Sequence, residues 1–322
     1  MINHSRHPEI VLQRTLKSSI HCTGVGLHSG SRVALTIAPA EINTGVRFIR
    51  TDLRGAGAVI PALWNNVIDT RLCTVIGNRS GISIGTIEHL LAALRGCNID
   101  NAVIRIDGAE VPIMDGSAAP FVFLVECAGV IEQNAARRAI RVLKPVRVGS
   151  SKRGAMLAPQ KGSSFSFEID FDSAAVSCKE GFFSLEPEAF KCDISRARTF
   201  GFLHEVDQLR QAGLARGGSL ANAVVISGDK VLNEGGLRYH DEFVRHKILD
   251  SIGDLYLAGA PIIGHFQGWR SGHALNSQLL HTLFADRENW DWTLMTSEDQ
   301  VASTGTSISA KMGGELRLAV NA

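Results

Sequence analysis

His246, Asp250 and Asp254 recur at intervals of four in Phe243-Val244-Arg245-His246-Lys247-Ile248-Leu249-Asp250-Ser251-Ile252-Gly253-Asp254. On a helix that spacing puts the three side chains on one face. An imidazole and a carboxylate one turn apart are potential metal ligands, and such nitrogen and oxygen sets suit zinc as well as iron and other ions. A hydrolytic zinc site commonly takes three protein ligands and keeps a position for water. A third ligand must therefore come from elsewhere, and His89 in Thr86-Ile87-Glu88-His89 is the leading candidate. Zinc held this way acidifies water and polarises an acyl carbonyl, and Glu88 is suited to take the water's proton. Adjacent residues on a helix point about 100° apart, so only a site near the helix end readily receives both. The plainer alternative is an intrahelical His–Asp pair and a common Glu-His dipeptide.

Asp254 extends the stripe and is suited to orient a histidine, here His273 in Ser271-Gly272-His273. Otherwise His273 is a loop histidine beside a glycine turn. Lys247 can support a polar substrate group or transition-state charge, or it is simply solvated. Thr199, beside Phe200 and Phe202, is either an oxyanion donor or a cap for the next segment. Arg270 is either a phosphate partner or a solvated arginine. Thr23-Gly24-Val25-Gly26-Leu27-His28-Ser29-Gly30 has neither a P-loop ending nor a GxGxxG pattern, so it reads as a tight turn and not a nucleotide cradle. Pro112-Ile113-Met114-Asp115-Gly116-Ser117 reads as a rigid turn feeding a helix.

The elements that must position these groups belong to an ordinary globular chain. It has 322 residues, 45% of them apolar and 20% charged, enough for two domains. Lys plus Arg is 33 against 32 for Asp plus Glu. That balance gives no broad basic surface and argues against nucleic acid as a partner. The cysteines, Cys22, Cys73, Cys97, Cys127, Cys178 and Cys192, form no CxxC pair and read as buried thiols of a reducing compartment. No signal-peptide core and no apolar run of bilayer-spanning length is present, so a cytoplasmic location without a transmembrane segment is expected.

Val33–Ala38 and Gly45–Arg50 alternate as strands, and more short strands are expected over 56–84. Thr86 is expected to cap a helix running to about Leu94 and stopped near Gly96. A strand over Ala102–Ile106 and a helix over 117–129 follow. Glu132 to Arg138 is polar and without periodicity, the best place for a domain boundary. Strand patterns restart at Ala139–Val148, 153–158 and 164–171, and helices are expected over Asp241–Gly259 and Ser271–Asp286. Each half runs strands first and helices later. The expected fold class is α+β, with two similarly built sheet-and-helix layered domains over 1–134 and 139–296 and a tail over 297–322, loose to about Gly305. Residues 200–234 stand apart as a small insert. Its helix over Glu205–Gln211 is broken by Gly213, Gly217 and Gly218, and strands follow at Ala223–Ile226 and Lys230–Leu232. Composition reads its apolar residues as core, with an apolar ligand channel the alternative.

Together these segments resemble the UDP-3-O-acyl-N-acetylglucosamine deacetylases, zinc amidases of lipid A synthesis. The likeness runs from Gln13 to about Trp290. It rests on Arg14-Thr15-Leu16-Lys17, Thr23 to His28, Thr86 to His89, Pro112 to Phe121, Ser195 to Phe202, Asp241 to Lys247 and Ser271-Gly272-His273-Ala274-Leu275-Asn276, all in one order. The resemblance implies zinc, with Fe²⁺ an alternative, on His89, His246 and Asp250. It implies Glu88 as general base, His273 as general acid, Asp254 as its orienting carboxylate, Thr199 as an oxyanion donor and Lys247 as a sugar contact. It implies a site at the interface of two α+β domains, each with a small insert, and a monomer. Phe200 and Phe202 match residues lining the substrate cleft. The segment 200–234 becomes a passage for the 3-O-acyl chain, lined by Leu203, Leu214, Ala215, Leu220 and Val225. Arg270 stands where lysine is expected in the family and keeps the charge that would meet phosphate. Leu72 and Ala215 stand where members are expected to differ. The expected substrate is UDP-3-O-[(3R)-3-hydroxyacyl]-N-acetylglucosamine. A related zinc amidase for another nucleotide sugar, or a binding protein with a merely structural His/Asp stripe, remain the other readings of the sequence.

Overall fold

The structure is a computed structural model that describes residues 9–53 and 58–300. Most of the expected loose tail lies outside the described residues. Its described start is a helical turn, Ser297–Gln300.

The architecture is mixed α/β. In the first half, a five-stranded sheet has the order Ile20–Val25, Arg32–Pro39, Ala102–Ile106, Val46–Arg50 and Val59–Pro61. Along Arg32–Pro39, Val33, Leu35 and Ile37 turn inward, and the exposed Arg32 and Ala34 turn outward, the period of a half-buried strand. Helices α1 (Glu88–Gly96) and α2 (Ala119–Ala128) belong to this half. In the second half a seven-stranded sheet centres on Ile262–Trp269. It pairs antiparallel with Gly154–Ala158 and parallel with Ser163–Glu168. After a turn of helix, α3 (Pro187–Ala189), come α4 (Leu203–Gln211), α5 (Glu242–Tyr256) and α6 (His273–Ala285).

Two three-stranded sheets stand outside these layers. One is Val67–Asp69, Val75–Gly77 and Ser83–Ile84. The other is Phe200–Phe202, Val224–Ser227 and Lys230–Val231, which with α4 makes up the expected insert. Within it, Val224 and Ile226 are buried, and Val225 takes the opposite face.

Some local expectations need correction. Glu132 to Arg138 is mostly strand: Val130–Ala136 pairs antiparallel with Leu12–Leu16, and the next strand begins at Arg138. Its polarity reflects a ribbon largely open to solvent, interrupted by Arg137, whose buried guanidinium donates to Asp100 Oδ2 and Asn98 O. Thr86 is not a cap. The helix starts two residues later at Glu88, and Thr86 sits at φ +56° with its hydroxyl donating to Glu110 Oε1 at 3.0 Å. A β-branched residue in that region is strained, at a cost of about 1–3 kcal/mol. The cysteines are all free, but only Cys73 and Cys97 are buried, and Cys127 and Cys192 are exposed.

One cluster of buried apolar side chains runs through both halves, and α1 packs on α5 at its centre. All of α1 is buried, and α5 is buried except at Lys247. The helices touch at Gly253, where an added Cβ would lie 2.0 Å from Glu88 O and 3.1 Å from Ala92 N. Both obstacles are backbone, so no side-chain rotation relieves them. Gly253→Ala must therefore push α1 and α5 apart, destabilising the protein by about 1–3 kcal/mol. Because His89 lies on α1 and His246 and Asp250 lie on α5, any metal affinity of these three residues should fall with stability. Urea unfolding and metal titration of this variant check both, and an unshifted unfolding midpoint would rule out the close-packing account.

Candidate active site

Helix α1 begins with Glu88 and His89, so both side chains leave its first turn, the helix-end placement that adjacent residues need to share a site. Helix α5 presents His246, Asp250 and Asp254 from successive turns. His89 Nε2 and His246 Nε2 lie 3.5 and 3.3 Å from Asp250 Oδ1. One ligand atom from each of the three residues lies within 4.8 Å of the other two, and all three residues are buried.

The donor set fits a cation. His246 Nδ1 is 3.0 Å from the Ala197 carbonyl, which can only accept, so Nδ1 carries the proton and Nε2 offers its lone pair. Burial pushes this imidazole down to about 4. A neutral imidazole lone pair thus faces a carboxylate oxygen, two acceptors with no proton between them. Asp250 Oδ1 is buried and has no hydrogen-bond partner. A divalent ion between these atoms satisfies all of them at once. Burial would raise the Asp250 carboxyl, but His246 and Lys247 hold it well below its usual range. Lys247 Nζ donates to Asp250 Oδ2 at 2.8 Å.

Beside this group stands a second, centred on Asp254, both of whose carboxylate oxygens accept hydrogen bonds. His273, the first residue of α6, places Nδ1 2.8 Å from Asp254 Oδ2. Asp254 also accepts from Thr74 Oγ1 at 2.6 Å and Asn276 Nδ2 at 2.9 Å. Glu88 Oε2 accepts from Thr74 N at 3.1 Å, and Glu88 Oε1 is 4.0 Å from His273 Nε2. Burial pushes the Glu88 carboxyl up, partly countered by His273 and His89. Burial works against the His273 cation as well, but Asp254, Glu88 and Asp250 overcome it and raise the imidazole to about 9. Glu88 and His273 therefore form an acceptor and a donor on adjacent walls of one buried site.

Three participants were not singled out from sequence. Thr74 bonds Glu88 through its amide and Asp254 through its hydroxyl, and nothing in its local pattern marks it. Asn276 lies one turn after His273, and that spacing was its available signal. His28 sits in the glycine turn read as structural, yet both its ring nitrogens are buried without partners. Burial lowers its imidazole, with Glu110 opposing and His273 adding to the effect.

The other expected site residues are spread around this cluster. Thr199 is two residues past Ala197. Its amide donates to Gly116 O at 2.7 Å, where Gly116 holds φ +84° and an added Cβ would lie 2.1 Å from Asn222 O. Phe200 packs edge-on against Phe243 and His246, with ring centroids 4.9 and 6.2 Å away. Phe171 packs against both Phe200 and Phe202. In the insert, Leu203 and Leu220 are exposed, and Leu214, Ala215 and Val225 are half-buried. Leu72 is exposed at φ +68°, two residues before Thr74. Arg270 is exposed, and its guanidinium is paired with Asp170 rather than with the cluster.

The Asp254–His273 pair has a direct readout. In the metal-free protein the His273 ring should titrate near 9. Asp254→Asn removes the largest of the charges that offset burial, so the ring should titrate lower, toward its ordinary 6.5. Ring-nitrogen NMR against pH measures this, with Glu88, Asp250 and His28 the other charged or titratable groups facing the ring. A value unchanged by Asp254→Asn would rule out Asp254 as the source of the shift.

The family model described as UDP-3-O-acyl N-acetylglycosamine deacetylase matches residues 13–285. Proteins named UDP-3-O-acyl-N-acetylglucosamine deacetylase are similar over nearly their whole length. The one from Shewanella pealeana is 48% identical over 306 residues, covering 94% of this chain and 99% of the relative. That from Acidithiobacillus ferrooxidans is 51% identical, covering 88% and 93%. That from Haemophilus influenzae is 50% identical, covering 91% and 96%. With a buried His-His-Asp metal cluster at its centre, this chain belongs to the UDP-3-O-acyl-N-acetylglucosamine deacetylase family.

Proposed function

We propose that the chain hydrolyses the 2-acetamido group of UDP-3-O-[(3R)-3-hydroxyacyl]-N-acetylglucosamine to acetate and the free 2-amine, the committed step of lipid A biosynthesis. The observation that carries this reading is the unpartnered Asp250 Oδ1 between two imidazoles, with Glu88 and His273 alongside. His89, His246 and Asp250 would hold Zn²⁺, or Fe²⁺ in its place. When bound, the ion supplies Lewis acidity that makes water a better nucleophile and polarises the amide carbonyl.

In this reading Glu88 takes a proton from the attacking water, at a carboxylate whose other oxygen is fixed by the Thr74 amide. The hydroxide oxygen bonds to the acetyl carbon. The Thr199 hydroxyl and Lys247 balance the charge that develops on the carbonyl oxygen and nearby sugar. The C–N bond then breaks as His273 Nε2 donates a proton to the leaving nitrogen, its ring held by Asp254. Thr74 and Asn276 keep Asp254 in place for that task.

The substrate's two ends have candidate partners. Leu203, Leu214, Ala215, Leu220 and Val225 would line a passage for the 3-O-acyl chain, with Phe200 and Phe202 at the cleft and Leu72 on its rim. The support is that these apolar side chains are left at least partly exposed while Val224 and Ile226 of the same sheet are buried. Each CH₂ buried there would contribute about 0.8 kcal/mol, so the passage and not the metal would set chain-length preference. Arg270 would meet a substrate phosphate after leaving Asp170. The reading divides the chain into domains over 1–134 and 139–296 with the site between them, α1 facing α5 and α6. It also takes the protein as a cytoplasmic monomer. Among the described residues, no helix is long and apolar enough to cross a membrane.

Acetate release from this substrate tests the proposal. Turnover should be lost on chelation and return with zinc. Glu88→Ala should lower kcat by about 10²–10⁴-fold while leaving zinc content unchanged. Full turnover by a zinc-loaded Glu88→Ala variant would overturn the base assignment, and no acetate from folded, zinc-loaded wild type would overturn the substrate.

A further inference from the structure

A second group of metal-ligating side chains lies at the other end of the α5 first turn. Cys178, His240 and Asp241 each bring one ligand atom within 4.8 Å of the other two. Asp241 immediately precedes α5 and its side chain is 0% exposed. Its Oδ1 accepts from Arg245 Nε at 2.6 Å and lies 3.6 Å from His240 Nδ1. Its Oδ2 is buried with no hydrogen-bond partner. A carboxylate oxygen left unpaired in the interior is costly unless something absent from the protein chain completes it. Nearby charges are otherwise engaged: Lys179 pairs with Asp170, and Glu242 pairs with Arg198.

We propose that Cys178, His240 and Asp241 form a second metal site, distinct from the His89–His246–Asp250 cluster, that takes Zn²⁺ or a similar thiolate-binding divalent ion. Sulfur, imidazole and carboxylate are a zinc donor set, with a fourth position left for water. Bond lengths of about 2.0–2.3 Å put tetrahedral ligand atoms about 3.3–3.8 Å apart, so the group must tighten by about 1 Å. His240 is free to make that movement, its side chain being 75% exposed. Cys178 is half-buried, and its thiol now donates only to the Glu180 carbonyl, at 3.4 Å. On binding, the thiol proton passes to solvent and the sulfur–metal bond forms, with no change of oxidation state. The thiolate and the carboxylate, the latter shared with Arg245, supply negative charge at the positive end of α5.

The ion would fasten the loop between Glu168 and Glu180 to the start of the helix that carries His246 and Asp250. That loop is set up for the role. Ile169 N donates to Lys179 O across its neck, and Val176 anchors it in the core. It also reaches the insert, through Ser173 Oγ to Gly228 O and Ala174 N to Asp229 Oδ1. The second ion would therefore stiffen the link between α5 and the insert without touching the catalytic cluster.

Cobalt separates the two sites, because the catalytic set contains no sulfur. Metal-stripped full-length protein titrated with Co²⁺ should bind two ions per chain and develop a thiolate-to-cobalt charge-transfer band. Cys178→Ser should abolish the band and reduce the stoichiometry from two to one, with acetate release retained. His240→Ala, at an exposed position, should weaken the second ion at least about tenfold without loss of fold. Binding of a single ion with no thiolate band would overturn the proposal. So would a band that persists in Cys178→Ser, since another cysteine would then be its source.

Discussion

Helices α1 and α5 come from opposite halves of the chain, and at Gly253 they approach so closely that no Cβ fits between them. That contact fixes the site. Glu88 and His89 leave the first turn of α1, and His246, Asp250 and Asp254 leave α5. Only when the two backbones touch do an imidazole from one and a carboxylate from the other come within 3.5 Å. The buried apolar cluster that runs through both halves holds the helices in this position. The candidate metal ligands are thus set on buried helices, and α5 packs against strands of the second-half sheet.

A buried site this rich in charge must satisfy nearly every polar atom. Asp254 does so with a hydroxyl, an amide and an imidazole; Asp250 Oδ2 has Lys247; Glu88 Oε2 has the Thr74 amide. Satisfied carboxylates orient their partners, and so Asp254 fixes the His273 ring and favours its cation. Asp250 Oδ1 is an exception, left facing the lone pair of His246 Nε2. The same reasoning marks Asp241 Oδ2 at the beginning of α5. Helix α5 and the residue that precedes it therefore carry two unpartnered carboxylate oxygens, each beside other potential metal ligands.

The insert shows how polarity and packing divide a short sheet. Val224 and Ile226 belong to the core, while Val225 on the other face and Leu203 and Leu220 nearby keep apolar surface available. Phe171, from the loop that also carries Cys178, closes on Phe200 and Phe202. Phe200 in turn packs on the ring of His246. The proposed acyl passage and the metal cluster are therefore joined by a continuous set of aromatic contacts.

The amino-acid sequence by itself determined what local spacing can express. The four-residue interval of His246, Asp250 and Asp254 already placed them on one helix face, and alternation revealed strands such as Val33–Ala38, which the structure extends to Arg32–Pro39. The Glu88-His89 pair needed a helix end, and the structure supplies one. Local pattern misled where the deciding partner was distant in sequence. Thr86 looks like a cap, but its hydroxyl answers to Glu110. Glu132 to Arg138 lacks strand periodicity, yet most of it belongs to a strand paired with Leu12–Leu16. Thr74 carries no local mark, because its role exists only when Glu88 and Asp254 converge on it. Tertiary structure alone decided which acceptors were left without a proton, since that depends on the burial and hydrogen-bond partners contributed by other elements. Spacing along one chain fixes which groups share a face; which faces meet is set by packing between segments far apart in sequence.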